Sequence, residues 1–213
     1  MIIAYAVLSV IHLVAVGADL SWLEWATKPL LMPVLALWLF TRNGPKLMIG
    51  GLLFSALGDV LLQFDSLFIV GMAAFAGAHI CYVTFFVRSG ARPALKRKWW
   101  IPLGYIAVWA GLMAWLWSGL GALQIPVAAY SLLLFSTGAT SAGLGLRTGL
   151  GGLLFVVSDS LIAVRLAAED TYNALPFGGA WVMITYLAAQ YLLASGTVGA
   201  SVTAAASPRP QIS

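Results

Sequence analysis

The sequence contains little charge and almost no cysteine. Only 8% of its 213 residues are Asp, Glu, Lys or Arg, whereas roughly 25% are charged in an average soluble domain. Hydrophobic residues make up 62% of the chain. Cys81 is the only cysteine, so neither an intramolecular disulfide nor a cysteine-based zinc site can form. The composition therefore predicts a polytopic membrane protein with no separate soluble domain.

Several catalytic signatures are also missing from the chain. There is no G-x-S-x-G elbow, no H-E-x-x-H zinc motif and no nucleotide-binding loop. An intramembrane aspartyl protease would carry G-x-G-D, but Asp59 follows Ala56-Leu57-Gly58, and Asp159 lacks the Tyr-Asp pair. Nothing visible in the sequence requires a metal ion or a cofactor, so we expect none.

Hydrophobic runs predict an all-α fold with about eight transmembrane helices. Each run is close to the ~20 residues that cross a hydrocarbon layer about 30 Å thick, although the second is short. We treat residues 1–197 as one transmembrane domain and expect the polar tail, 198–213, to be disordered. The predicted helices lie at roughly 2–18, 27–41, 46–63, 67–88, 99–117, 121–142, 149–166 and 178–197.

The net charge of +4 is distributed unevenly between alternate loops. By the positive-inside rule the basic loops face the cytoplasm, which places both termini inside, and the cell (inner) membrane is the expected location. The charge is thus a topology signal, and no nucleic-acid partner is expected. The basic loops carry Arg42, Lys46, Arg88, Arg92, Lys96, Arg97, Lys98, Arg147 and Arg209; the others carry Asp19, Glu24, Asp65, Arg165, Glu169 and Asp170.

Two aspartates lie within apolar helical stretches, and their surroundings match each other. Residues 51–59, ending in Asp59, align with residues 151–159, ending in Asp159. The offset suggests a four-plus-four internal repeat, and repeats with an even number of crossings are parallel. A carboxylate at the bilayer centre costs about 2.5 to 3.5 kcal/mol on insertion scales, so we expect both side chains to face the bundle interior at similar depth.

Asp59 and Asp159 are the candidate catalytic pair. Two carboxyls that share a buried site titrate as a coupled pair, in which one holds a proton while the other stays ionised. That state suits general acid catalysis with a carboxylate partner that stabilises positive charge or orients water. Two alternatives remain at this point: a purely structural pair that binds its neighbours, and a transporter whose carboxyls relay protons or ions.

Lys28 is predicted to open the second helix. Pro29 fits the first helical turn there, and Pro33 is expected to kink or unwind the helix. Lys28 is either a snorkelling interfacial lysine or a counter-charge and head-group phosphate ligand above the aspartates. His12, in the first helix, is interpreted as structural.

Polar residues of the fourth and eighth predicted helices fall on single helix faces. His79 and Tyr82 are spaced i, i+3, and Tyr186 and Gln190 are spaced i, i+4, so each pair can line a cavity. Tyr130, which follows a proline in the sixth helix, is a further candidate. Each residue taken alone is as well explained by hydrogen-bonded packing, and it is their convergence with the aspartates that favours a binding role.

In order along the chain, these features resemble the YhhN family, whose characterised members are lysoplasmalogenases. The resemblance spans nearly the whole chain on several short motifs. The matching residues are Thr27-Lys28-Pro29-Leu30 with Pro33, Phe54 with Gly58-Asp59, Phe75-x-x-x-His79-x-x-Tyr82, Pro126-x-x-x-Tyr130, Gly152 with Ser158-Asp159, and Tyr186-x-x-x-Gln190.

The resemblance implies a hydrolase that cleaves the vinyl ether bond of a lysoplasmalogen, releasing a fatty aldehyde and a glycerophospho-alcohol. It implies a lysophospholipid substrate drawn from the bilayer and Asp59 and Asp159 as the acid-and-carboxylate pair. The alternative is a small proton-coupled transporter or a lipid-handling membrane protein. The residues expected to bind the substrate are Lys28, His79, Tyr82, Tyr130, Ser158, Tyr186 and Gln190.

Overall fold

The computed structural model describes residues 1–205, and side chains as far as residue 198. Within that range the chain is all-α, with ten α-helices and two 3₁₀ segments. The helices are α1 (Ile2–Gly17), α2 (Ser21–Thr41), α3 (Lys46–Leu61), α4 (Phe68–Arg88), α5 (Ala91–Arg97), α6 (Trp100–Leu116), α7 (Gln124–Ala142), α8 (Leu146–Ala167), α9 (Glu169–Asn173) and α10 (Gly178–Ala205).

Helix α2 begins at Ser21, so its predicted start at residue 27 was wrong. The prediction treated proline as a boundary, but Pro29 and Pro33 both lie inside the helix, which continues to Thr41. Membrane helices tolerate interior proline because neighbouring groups satisfy the backbone atoms that proline leaves free. Lys28 therefore lies in the second turn of α2 and does not open the helix.

The connections are more ordered than the sequence suggests. The basic segment after α4 contains α5, and the segment after α8 contains α9. A 3₁₀ segment, Trp117–Leu123, precedes α7, and Gly121 within it adopts φ +51°, a left-handed conformation that favours glycine. The last helix runs past residue 197 to Ala205. The rest of the predicted tail, 206–213, lies outside the described residues.

Five segments of the described chain are long and apolar enough to span a membrane: Ser21–Thr41, Asp65–Arg88, Trp100–Ala142, Leu146–Ala167 and Gly178–Val198. The third of these includes both α6 and α7, and α1 is a shorter apolar helix. The protein is thus an all-α integral membrane protein. The count of eight crossings and the parallel repeat stay predictions.

The long helices pack around a common interior. Helices α1, α2, α3, α4, α7, α8 and α10 contact one another in that order, and α10 closes the ring against α1. Helix α6 packs on α7 and α8, while α10 also contacts α2 and α3. This order separates α3 from α8 by α4 and α7 on one side and by α10 on the other. The helices that carry the two aspartates therefore face each other across the interior.

Candidate active site

A cavity opens at one end of the helix bundle. Packed helices joined by short connections run antiparallel, so the α1–α2, α3–α4, α6–α7 and α8–α10 connections share this end. We call it the acidic end because Asp19, Asp65, Glu169 and Asp170 lie in those connections. The opposite end, which carries most of the Lys and Arg residues, is the basic end. The cavity encloses about 680 Å³ between side chains, including the part open to the outside.

Six helices contribute to the cavity wall, each near its acidic end. Most of the wall is apolar, which suits a lipid ligand, and the polar groups are few and grouped together. The apolar lining comprises Leu62, Phe68, Met72, Phe75, Val127, Ile162, Ala163, Leu166, Val182 and Met183, and the polar lining comprises Lys28, Asp59, Tyr130, Ser158, Asp159 and Tyr186.

Asp59 lies in the last turns of α3 and is only 3% exposed. The Tyr186 hydroxyl, from α10, donates a hydrogen bond of 2.7 Å to its Oδ2. One turn further along α10, the Gln190 Nε2 donates to Ser55 Oγ at 3.0 Å, and its Oε1 accepts from the Tyr82 hydroxyl at 2.9 Å. These bonds join α3, α4 and α10 behind Asp59.

Asp159 lies on α8 and is half-buried, since part of its surface faces the cavity. A hydrogen bond joins its Oδ2 to the Tyr130 hydroxyl from α7. Behind Tyr130, His79 Nε2 lies 3.2 Å from that hydroxyl, and His79 Nδ1 lies 3.0 Å from Thr137 Oγ1. Thr137 Oγ1 in turn donates to the Leu133 carbonyl oxygen at 3.1 Å. Asp159 is thus the first member of a chain of polar groups that leads away from the cavity.

Lys28 and Ser158 complete the polar lining. Lys28 is partly exposed near the start of α2, and its ammonium interacts electrostatically with Asp59. Ser158 is buried, and its hydroxyl donates to the Val182 carbonyl oxygen at 3.0 Å, which links α8 to α10. Lys28 is therefore free to meet a ligand at the cavity mouth, whereas the Ser158 hydroxyl is occupied by a helix-to-helix bond.

The structure divides the predicted site residues into two layers. Asp59, Asp159, Lys28, Tyr130, Ser158 and Tyr186 line the cavity, whereas the other three predicted binding residues do not. His79, Tyr82 and Gln190 are fully buried behind the wall. His12 Nδ1 lies 2.7 Å from Thr27 Oγ1 and joins α1 to α2, and His12 does not line the cavity.

Ser55 and Thr137 belong to these hydrogen-bond networks but were not among the predicted site residues. Ser55 lies four residues before Asp59 on α3, and Thr137 lies seven residues after Tyr130 on α7. Each spacing places the hydroxyl on the same helix face as Asp59 or Tyr130, so helical periodicity could have identified both residues. Ser and Thr inside a membrane helix do not by themselves indicate a site, because their hydroxyls often bond only to the backbone of their own helix.

Aromatic rings form the floor of the cavity. Phe155, which is fully buried, lies edge-to-face with Tyr186 at 5.6 Å between ring centroids, and Phe75 makes a similar contact with Tyr186 at 6.0 Å. Phe155 also lies 4.8 Å from the His79 ring. The two carboxyls are therefore separated from the basic end by a packed aromatic layer.

A smaller pocket of about 340 Å³ borders Asp159 on the side of α6. It shares Val127, Tyr130, Asp159 and Ala163 with the main cavity, and its remaining lining is apolar except for Ser131 and Ser160. Among the described residues, no group of three or more His, Cys, Asp or Glu side chains is arranged to hold a metal ion.

The fold and the cavity define an all-α integral membrane protein with two carboxyls in a mainly apolar site. The chain belongs to the YhhN family, whose model matches residues 23–197. This finding confirms the resemblance derived from the short motifs.

Several curated relatives share this sequence pattern. The chain is 35% identical over 179 residues to Lysoplasmalogenase TMEM86B of Homo sapiens, covering 82% of this chain and 75% of that protein. It is 32% identical over 203 residues to Lysoplasmalogenase TMEM86A of Bos taurus, covering 84% and 79%. It is also 30% identical over 159 residues to Lysoplasmalogenase of Mycobacterium bovis, covering 70% and 59%. No solved structure matches the chain.

Proposed function

We propose that this protein is an ether hydrolase that cleaves the vinyl ether bond of a lysoplasmalogen, releasing a fatty aldehyde and a glycerophospho-alcohol. Family membership and relatives that carry the name lysoplasmalogenase support the reaction. The observation that carries the proposal is that Asp59 and Asp159, 100 positions apart in the sequence, line the same apolar cavity. Each carboxyl is also hydrogen-bonded to a tyrosine of another helix.

The proposed reaction begins with proton transfer to carbon. One aspartic acid gives its proton to the carbon β to the ether oxygen, and the electron pair of the double bond forms the new C–H bond. The resulting oxocarbenium ion is stabilised by the other, ionised aspartate, which then takes a proton from the water that adds to the cation. The logic parallels the acid-and-carboxylate pair of glycoside hydrolases.

The hemiacetal formed by water addition then collapses to the products. Its hydroxyl proton returns to the first aspartate, while the second aspartate passes its new proton to the departing alcohol oxygen as the C–O bond breaks. Both carboxyls regain their starting states, and the net change is the addition of one water molecule. No metal ion or redox cofactor takes part in this balance.

The cavity suggests how a lysophospholipid would lie in the site. Lys28 lies at the mouth, where its ammonium is positioned to meet the head-group phosphate. The apolar pocket between α6, α7 and α8 is placed to receive the start of the alkenyl chain, since it borders Asp159. This arrangement would hold the vinyl ether between the phosphate contact and the chain, next to the carboxyl pair.

We further propose that the basic end faces the cytoplasm, with the protein in the cell (inner) membrane and both termini inside. Most of the Lys and Arg residues belong to the loops of that end, which is the pattern of the positive-inside rule. The cavity would then open toward the non-cytoplasmic side. The substrate would enter from the outer half of the bilayer.

The packed floor of the cavity favours hydrolysis over transport. A proton-coupled transporter needs a route from its carboxyls to both membrane faces. Toward the basic end the described bundle is filled by fully buried side chains, among them Phe155, Tyr82, Leu52 and Phe86. A cavity that opens at one end only is expected of a hydrolase. Its lipid substrate enters, and its products leave, through the same opening.

The proposal is tested by measuring aldehyde release from an alkenyl lysophospholipid by the purified protein in detergent. We expect Asp59→Asn and Asp159→Asn each to lower kcat by roughly 10²- to 10⁴-fold, the usual contribution of a positioned acid or base. Asp65→Asn, an exposed carboxyl outside the cavity, is the matched control and should retain activity.

Folding of each variant is checked by thermal unfolding in the same detergent. Full activity in either cavity variant would contradict the carboxyl mechanism. If well-folded wild-type protein releases no aldehyde from alkenyl lysolipids with several head groups, vinyl ether hydrolysis is wrong and the transport function takes its place.

A further inference from the structure

A short segment at the basic end carries the densest group of positive charges in the chain. Five of the eleven Lys and Arg residues fall between positions 88 and 98: Arg88, Arg92, Lys96, Arg97 and Lys98. All five are exposed, and three of them belong to α5, a helix of seven residues. The proposed reaction uses none of these charges, because the cavity and its carboxyls lie toward the opposite end.

Helix α5 is amphipathic and packs on the bundle through its apolar face. Ala91 is fully buried, and Ala94 and Leu95, on the same side of the helix, are half-buried. A Cβ on Gly143, just after α7, would lie 2.9 Å from the Ala91 Cα, so the two segments meet backbone to backbone. The opposite side, which we call the basic face of α5, carries Arg92, Lys96 and Arg97. The fold therefore sets the direction in which this face points.

The neighbouring spans place α5 at the membrane surface. One apolar spanning segment ends at Arg88, and the next begins at Trp100. The connection between two such segments lies outside the hydrocarbon layer, among the lipid head groups. Trp99 and Trp100 follow α5 directly and are 63% and 56% exposed. Exposed tryptophan is typical of the membrane–water interface, so the basic face and this pair of indole rings meet the same layer of the bilayer.

No acidic side chain of the protein is placed to neutralise the basic face. The chain contains seven Asp and Glu residues, all within the described part of the structure. Two of them are the cavity aspartates. The other five, at the acidic end, are Asp19, Glu24, Asp65, Glu169 and Asp170. The counter-charge for α5 therefore comes from outside the chain.

We propose that the basic face of α5 is a binding site for the head-group phosphate of an anionic phospholipid. The guanidinium groups of Arg92 and Arg97 can each donate paired hydrogen bonds to phosphate oxygens, and Lys96 adds a third charge. Each cation close to an anionic membrane surface strengthens binding about fivefold. This site is separate from the cavity, and it does not depend on the reaction proposed there.

A phospholipid fits this surface better than a soluble anion does. The exposed indole rings of Trp99 and Trp100 lie next to the cations, and a free phosphate would leave them uncovered. A phospholipid supplies the phosphate for the basic face and an apolar chain for the rings. The position between two membrane spans also brings the site into direct contact with lipid head groups.

Native mass spectrometry tests the site through lipid binding instead of turnover. The purified protein in non-ionic detergent is given equal amounts of phosphatidylglycerol and phosphatidylcholine with the same acyl chains, and the bound lipids are counted. Both lipids carry a phosphate, but only phosphatidylglycerol has a net charge. We expect the wild-type protein to prefer phosphatidylglycerol, and the triple variant Arg92→Gln, Lys96→Gln, Arg97→Gln to lose this preference by about tenfold or more.

A second triple variant is the matched control. The substitutions Arg42→Gln, Lys46→Gln and Arg147→Gln remove three exposed charges from the same end of the molecule but leave α5 intact, so the wild-type preference should remain. Lys28→Ala should keep it as well, which separates the α5 site from lipid bound at the cavity mouth. Thermal unfolding in the same detergent checks that each variant is folded.

Each contrary outcome has a definite meaning. Equal losses in the two triple variants would show that the net charge of the basic end selects the lipid, and the α5 site would be wrong. A folded α5 variant with the wild-type preference would also overturn the proposal and leave the basic face to an acidic protein partner. Displacement of phosphatidylglycerol by an equal concentration of glycerol 3-phosphate would assign the site to a soluble phosphate. None of these measurements depends on aldehyde release, so they stand apart from the test of hydrolysis.

Discussion

Each cavity carboxyl is hydrogen-bonded to a tyrosine that comes from a different helix. Tyr186 reaches Asp59 from α10, and Tyr130 reaches Asp159 from α7. A phenol can donate to a carboxylate or accept from a carboxylic acid without adding charge to the interior. Lysine or arginine in the same positions would hold both aspartates ionised, and the site would then lack the carboxylic acid that the proposed reaction requires.

Lys28 is the residue for which a binding role can be separated from chemistry. We expect Lys28→Ala to lower kcat/KM for an alkenyl lysophospholipid about tenfold more than for the corresponding alkenyl glycerol without phosphate, because a charged hydrogen bond is worth roughly 1.5 to 3 kcal/mol. The ratio of the two substrates cancels any effect of Lys28 on Asp59 that both reactions share.

Lys46→Ala, an exposed lysine near the basic end, serves as the control and should leave the substrate ratio unchanged. Equal losses for both substrates in Lys28→Ala would show that the lysine acts on the carboxyl pair alone. The phosphate contact would then have to be assigned to another group.

Helix α2 shows how an element can be misjudged when its local signal is strong. Proline at positions 29 and 33 argues for a boundary in a soluble protein, yet α2 runs from Ser21 to Thr41. The longer helix places Lys28 within α2, where it lines the cavity. In a helix that began at residue 27, Lys28 would sit at the free end, where it would have no fixed direction.

The contact between α8 and α10 is close enough to predict a stability effect. A Cβ on Gly151 would lie 2.8 Å from the Leu193 backbone nitrogen and 3.0 Å from the Ala189 carbonyl oxygen. Because backbone cannot move aside as a side chain can, we expect Gly151→Ala to destabilise the protein by about 1 to 3 kcal/mol, measured as a lower Tm in detergent.

Gly104→Ala is the matched control for this change. Gly104 lies on α6, where an added Cβ would have nothing within 4 Å, so its Tm should be unchanged or slightly higher. An equal loss of Tm in both variants would mean that the α8–α10 contact is not the cause. A Gly151→Ala protein with wild-type Tm would contradict the close packing of the two helices.

At the scale of the whole molecule, the ring of helices decides which residues meet. Helices α3 and α8 come from distant parts of the chain, and the ring places them on opposite sides of one interior. Helix α10, the last of the ring, packs against α8, α1, α2 and α3 and carries Tyr186 into the cavity. Because α10 follows the other helices in the sequence and supplies Tyr186, the site is complete only when α10 has packed against them.

The orientation of the molecule in the membrane can be measured directly. In a Cys81→Ser background, Asp65→Cys places a thiol in an exposed loop of the acidic end, and Arg92→Cys places one at the exposed basic end. With the basic end in the cytoplasm, a membrane-impermeant maleimide should label the first in intact cells and the second only after the membrane is opened. The reverse pattern would invert the proposed topology.

The sequence by itself determined the class of protein, the approximate place of the long helices and the two aspartates. These follow from local properties: an apolar run long enough to span a bilayer, and a carboxyl that hydrocarbon does not tolerate unless it is turned inward. The short motifs also identified the family, because a motif depends only on residue types and their spacing along the chain. The boundary of α2 was the main error, since proline acts differently in soluble and in membrane helices.

Only the tertiary structure decided how the polar residues divide between the cavity and the layer behind it. His79 and Tyr130 are 51 positions apart, and Tyr186 and Asp59 are 127 apart, so no local pattern records that they touch. The polar groups behind Asp159 extend to the Leu133 carbonyl oxygen, and Gln190, behind Asp59, donates to Ser55. Helix packing brings these groups together and places the two carboxyls in one cavity.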